Sequence, residues 1–225
     1  MTAPLYVSPL FCPSKFNPAI PSRKYLFYRY VFEALFETYD LSKETGYIRR
    51  TQSCLDITEF SIILRRLAFW CLKNNGKLEF SRSELEVVLD EITGKLKGIN
   101  VKPIKFIDDL IYAVPLFIKE ASIYRWAHKS LMEYFSAEFI CIEVKDKRDE
   151  LLLKIYESNS SVKYKNIIEL CSDIDYATFR KSILHNCLNE YFDHWNKINN
   201  FVYLNECDKE IWASISFFSE LSLLL

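Results

Sequence analysis

Glycine is scarce in this chain: there are four in 225 residues, at positions 46, 76, 94 and 98. That excludes a glycine-rich loop that could wrap a phosphate with backbone N–H groups. Gly94-Lys95-Leu96 lacks both the earlier glycine and the hydroxyl that such a loop requires. A dominant charge is also missing. Lys and Arg number 29 against 30 Asp and Glu, a formal net charge of −1, so no overall field draws the molecule to nucleic acid or to an anionic membrane. Paired cysteine motifs are absent as well. The seven cysteines (12, 54, 71, 141, 171, 187, 207) are odd in number and include no Cys-x-x-Cys, which suits reduced, mostly buried thiols in a cytoplasm rather than a disulfide framework.

Long apolar runs are lacking too. Leu5 to Cys12 is broken by Pro9 and has no basic stretch before it, so it is not read as a leader. Ile211 to Leu225 is shorter than the roughly 20 residues of a membrane span and contains Glu220. No membrane partner is expected, and a helix ending in Leu223-Leu224-Leu225 without a cap looks cut short.

What is present is apolar and aromatic. Half of the chain is hydrophobic, with 17 Phe and 14 Tyr, enough for one sizeable core or two small ones. The periodicity is mainly helical. After five prolines in the first 21 residues, Ser22 can cap a helix with Tyr28, Val31, Phe32, Leu35 and Tyr39 in one stripe. Residues 40–55 read as a polar linker. Asp56 caps a helix burying Phe60, Ile63, Leu64, Leu67, Ala68, Cys71 and Leu72, stopped by Asn74-Asn75-Gly76. A short strand follows at 77–80, and Ser81 with Glu84 forms a capping box for a helix that ends by Gly94 and Gly98. Another helix starts at Pro103, and Pro115 closes it before two strands, 116–119 and 123–127. Helical patterns resume from Lys129 and again over 151–156, 167–171, 179–195 and 211–225.

The fold class expected is therefore mainly α. The order helix, strand, helix, helix, hairpin is that of a winged helix with a small β-hairpin wing, flanked by helical segments. The expected divisions are 1–50, a helical segment; 51–145, the winged-helix domain; and 146–225, a C-terminal helical segment.

One stretch carries the most chemistry: Tyr124-Arg-Trp126-Ala-His128-Lys-Ser130-Leu-Met-Glu133-Tyr134-Phe135-Ser-Ala137. Tyr124, Trp126 and His128 alternate as a strand does, and Leu131, Tyr134, Phe135, Glu138 and Phe139 then recur at helical spacing. His128 falls at the junction, where first-turn N–H groups are unpaired and an anion would be well placed. Other groupings are weaker. Ser130 reads as the N-cap partner of Glu133, and Asp108-Asp109 as a solvated face. His185 and Cys187, at i,i+2 and so facing different ways, do not make a metal site with His194.

The segment from Ile118 to Ile140 resembles the end of the winged-helix domain of NACHT-type STAND NTPases, whose pattern is aromatic-x-His-x-Ser-aromatic-Gln-Glu-(Phe/Tyr)-Phe-Ala-Ala. Leu131-Met132 departs from the aromatic-Gln pair. Upstream, Pro4-Leu5-Tyr6, Ile20-Pro21 and the helix around Tyr28 and Val31 are similar to the helical domain after that family's nucleotide-binding core, although Pro9 and Pro13 interrupt it. The resemblance implies a cytoplasmic, nucleotide-controlled signalling switch of innate-immune or anti-phage type. It implies that a histidine like His128 reaches the diphosphate of ADP in the closed state and that a proline like Pro4 lines the adenine. Having no P-loop, this chain is expected to be non-catalytic and to bind no cofactor alone. ADP or ATP belongs to the complete protein, with a NACHT core supplied in cis or in trans and possible homo-oligomerisation. Two other readings are a DNA-binding winged-helix regulator and a helical interaction scaffold. Asp108 and Asp109 outweigh Lys105 on the would-be recognition helix, and the wing offers only Lys119 and Arg125, so nucleic acid is not the expected partner.

Overall fold

In the computed structural model, the structure describes residues 23–41, 51–144, 146–158 and 161–199. Pro4, Ser22 and the 211–225 helix expected from the sequence lie outside these residues. The described chain is mainly helical, with one small three-stranded antiparallel sheet.

Helix α1 (Lys24–Leu41) is apolar along one stripe. Phe32 meets Phe135 edge-on at 5.2 Å and Phe36 meets Phe60 at 5.6 Å, so its inward face is held by aromatic contacts. Helix α2 (Ile57–Lys73) begins where the sequence places it. The Asp56 carboxylate accepts the Glu59 N–H at 2.8 Å and the Glu59 carboxylate accepts the Asp56 N–H at 3.2 Å, a complete capping box. It stops because Asn75 (φ 60°) and Gly76 (φ 69°) turn left-handed, letting the N–H groups of Gly76 and Lys77 both return to the Cys71 carbonyl.

Strand β1 (Glu79–Ser81) passes directly into α3 (Arg82–Gly94), and Ser81 is both the last strand residue and the N-cap. Its hydroxyl accepts the Glu84 N–H at 3.2 Å. The other half of the expected box is missing, because the Glu84 carboxylate takes Lys77 at 2.6 Å instead. Helix α4 (Pro103–Asp108) has proline in its first turn and continues as a π-helical turn, Asp109–Ala113.

Strands β2 (Phe117–Glu120) and β3 (Ile123–Trp126) form a hairpin, and the sheet order is β1-β3-β2. Pairing of Phe80 with Tyr124 and of Phe117 with Trp126 puts four aromatic residues on the inner face. All four are buried. Helix α5 (Lys129–Glu138), followed by a π-helical turn at Phe139–Glu143, is buried at every residue from Ser130 to Glu138. The sequence suggested a one-sided amphipathic helix there. The reason for the difference is that α1, α2 and the C-terminal helix α7 (Ser161–Ile174) wrap it from several directions, a property no local pattern encodes.

The remaining elements are α6 (Arg148–Tyr156), α8 (Tyr176–Phe179) with a π-helical turn at Arg180–Leu184, and α9 (His185–Asn199). Leu152, Ile167, Leu170, Cys171, Phe179 and Ile183 belong to the same apolar cluster as Phe32, Phe60 and Phe135. One continuous core therefore crosses the expected divisions at 50/51 and 145/146. Charged pairs tie the same elements together: Arg65 and Arg66 both reach Glu143, at 2.9 and 3.0 Å, and Arg148 pairs with Asp175.

Candidate functional site at the seam between hairpin and helix

His128 sits between β3 and α5, half-buried, in extended backbone conformation (φ −149°, ψ 138°), and is the N-cap of α5. Its Nδ1 accepts the Ser130 N–H at 3.2 Å and also meets the Ser130 hydroxyl. This changes two expectations. Ser130 is not the cap; it lies inside the first turn, and Glu133 turns instead to Lys129 at 3.0 Å and Asn166 at 2.7 Å. Nor is the helix end open at Ser130, because the ring already occupies that N–H.

The bond also fixes the imidazole chemically. With Nδ1 acting as acceptor, the neutral ring carries its proton on Nε2. No described residue accepts from Nε2. The site thus offers a pre-oriented N–H donor at the seam, able to donate to an anionic oxygen. Behind it, Trp126 packs between Phe117 at 4.7 Å and Phe135 at 6.3 Å.

An open recess of about 540 Å³ lies at the other end of the hairpin, lined by Ser81, Arg82, Glu86, Lys119, Ser122 and Tyr124, and does not include His128. Its cations are engaged: Arg82 with Glu86 at 2.8 Å, and Lys119 over the Tyr124 ring at 5.6 Å. On β3, Arg125 is held by Glu120 at 2.5 Å. Both hairpin cations, Lys119 and Arg125, thus have a partner.

Asp109 is the main correction to the sequence reading. Far from a solvated face, its side chain is 2% exposed, accepting the Gln52 N–H at 2.7 Å and the Ser53 N–H at 2.9 Å. The end of the supposed linker, residues 51–55, is thereby pinned to the π-helical turn that follows α4. A signal existed: Asp109 lies three residues after Phe106, on the inward face of its helix. Asp108, by contrast, is only half-buried.

A second buried acid, Glu138, accepts the Tyr134 hydroxyl at 2.7 Å and lies 4.0 Å from Arg65. Burial pushes its carboxyl above the usual range, and the Tyr134 hydroxyl is likewise pushed up by burial and by Glu138. The side chains of His185 and Cys187 diverge as expected: His185 is exposed beside Asn189, and Cys187 is buried. Among the described residues no cluster of His, Cys, Asp or Glu could hold a metal, and no helix is long and apolar enough to cross a membrane.

Comparison with protein-family models, with curated proteins and with solved structures finds no match.

Proposed function

We propose that this chain is the non-catalytic regulatory part of a NACHT/STAND-type signalling ATPase, acting in the cytoplasm as a sensor of nucleotide state. The observation that carries the reading is His128, a helix cap whose Nδ1 is occupied and whose Nε2–H is unclaimed among the described residues. The order α2-β1-α3-α4-β2-β3, with sheet order β1-β3-β2 immediately before that histidine, supports a winged-helix unit.

In this reading the NACHT core, in cis or in trans, holds ADP or ATP, and this chain docks against it. His128 donates its Nε2–H to a β-phosphate oxygen of ADP in the closed form. Pro4, outside the described residues, lines the adenine. Loss of the histidine contact lowers the affinity of the closed form for ADP and shifts the population toward an open, oligomerising form. The scarcity of glycine fits this division of labour, since the phosphate cradle must come from the core. Signalling of anti-phage or innate-immune type follows from the same resemblance.

The test is genetic. An in-frame Gly-x-x-x-x-Gly-Lys-(Ser/Thr) segment upstream of Met1, or in a neighbouring gene whose product binds this chain, is the expected finding. Its absence from both places overturns the proposal.

A further inference from the structure

The open recess between the start of α3 and the hairpin contains a group that the fold does not use. Tyr124 lines it and is only 4% exposed, yet its hydroxyl has no hydrogen-bond partner among the described residues. A buried phenol ordinarily bonds its O–H to a neighbour, so one left open toward a recess calls for an acceptor that arrives from outside. The first turn of α3 borders the same space. Arg82 and Ser83 both line it, and their N–H groups are first-turn donors without an intrahelical acceptor that no described residue takes; the Ser81 hydroxyl accepts only the Glu84 N–H, at 3.2 Å. Helix α3 is thirteen residues long, enough for its dipole to favour negative charge at this end. The Ser81 and Ser83 hydroxyls lie 3.3 Å apart, and Ser122 adds a third from the hairpin turn.

We infer that this recess binds a phosphoryl group, either free phosphate or a small phosphate monoester. The oxygens of a tetrahedral dianion need several donors at once, and the Tyr124 O–H, the serine hydroxyls and the two backbone N–H groups supply them, with Arg82 and Lys119 adding charge. Both cations already have partners, and both contacts are weak. Arg82 meets Glu86 in an exposed i,i+4 pair, and Lys119 rests 5.6 Å from the Tyr124 ring centre; a doubly charged ligand replaces interactions of that kind. Glu86 lines the recess and Asp108 also acts on Arg82, so these two carboxylates limit the affinity. A nucleic-acid backbone would in addition meet Glu84 and Glu120, each next in the chain to a lining residue, which favours a compact ligand over a polymer. A volume of about 540 Å³ suits a small molecule. His128 lies outside the recess, so the inference stands apart from the nucleotide reading.

NMR titration of the full chain with sodium phosphate, with glycerol 3-phosphate and with sodium chloride at matched ionic strength tests it. The Arg82, Ser83 and Ser122 amides should shift and saturate with a phosphate compound at a Kd of about 1 mM or below, and stay in place with chloride. Equal affinities identify the phosphoryl group alone as the ligand, binding of the ester at least about tenfold tighter identifies a phosphorylated small molecule, and either result supports the inference. Tyr124→Phe removes a hydroxyl that the fold does not bond, so the melting temperature should hold while affinity falls about tenfold. Lys119→Gln, at an exposed position of β2, should weaken binding by a similar factor. Shifts that grow without saturating, the mark of an adventitious ion only, overturn the inference. So does an affinity unchanged in both variants, or displacement of phosphate by duplex DNA at micromolar concentration, which would assign the surface to nucleic acid.

Discussion

Replacing Asp109 with alanine should destabilise the protein by about 3 kcal/mol, because a buried carboxylate that accepts two backbone N–H groups cannot be removed without leaving both unpaired. The magnitude follows from the geometry. Contacts of 2.7 Å to Gln52 and 2.9 Å to Ser53 are charge-assisted, each worth about 1.5–3 kcal/mol, and both donors are only partly buried, so water recovers some of the loss. The same carboxylate anchors the turn in which the Cys54 N–H bonds the Thr51 carbonyl at 3.3 Å and Cys54 adopts φ 57°, two residues before the α2 cap. Asp109→Asn should cost less, about 2 kcal/mol, since one oxygen still accepts while the amide NH₂ faces the second donor. Urea unfolding at neutral pH measures both, with an unchanged denaturant slope showing that only stability has moved. Exchange of the Gln52 and Ser53 amides should accelerate in the alanine variant beyond the global change. Stability of Asp109→Ala within about 0.5 kcal/mol of the parent would refute the anchoring role.

Glu138 gives a pH signature. Its folded-state carboxyl is raised above the usual 4.5 by burial, so its contribution to stability is fully present below that value and lost as pH rises through the folded value. Glu138→Gln, which can still accept the Tyr134 hydroxyl, should remove that loss and be more stable than the parent at pH 7; unfolding curves across pH 4–8 that stay parallel for the two proteins count against it. Thiol reactivity should divide by burial: Cys54 is exposed and should alkylate rapidly, whereas Cys71, whose thiol is pushed up to about 12 by burial, and the buried Cys141, Cys171 and Cys187 should react only on unfolding. Mass spectrometry of native protein treated with iodoacetamide reads this directly. Glu143→Ala should cost about 3 kcal/mol in thermal or urea unfolding, because it leaves the largely buried Arg65 with only the longer 4.0 Å contact to Glu138 and takes the carboxylate from Arg66, and a loss below about 0.5 kcal/mol would show that water replaces the pair.

Local signals account for most of the fold that was legible in the sequence. Asp56, Asn75-Gly76 and Pro103 each set an element boundary by local backbone geometry and short-range capping, so residue type and spacing alone revealed them. The β-hairpin was legible for the same reason. What was hidden depends on distant partners. Asp109 is 57 residues from Gln52, and nothing near it in sequence announces a receptor for its carboxylate. The full burial of α5 comes from α1, α2 and α7, which lie far from it along the chain. At the candidate site, the position of His128 at the strand–helix junction was readable, whereas its role as cap was not, because Ser130 offers an equally plausible cap by residue type. Only the ring conformation, with Nδ1 turned to the Ser130 N–H, separates the two.

That same conformation supplies the variant that isolates the proposed function. His128→Asn retains a side-chain oxygen able to cap α5, so it should fold with the parent's stability, yet it removes the imidazole Nε2–H. In an assembly of the chain with the P-loop core that the proposal requires, the rate of release of fluorescent ADP is the decisive measurement. The account predicts release about 10- to 100-fold faster for His128→Asn, the effect of losing one hydrogen bond to a charged phosphate, with the melting temperature unchanged. An unaltered release rate, in an assembly shown to bind ADP, would contradict it.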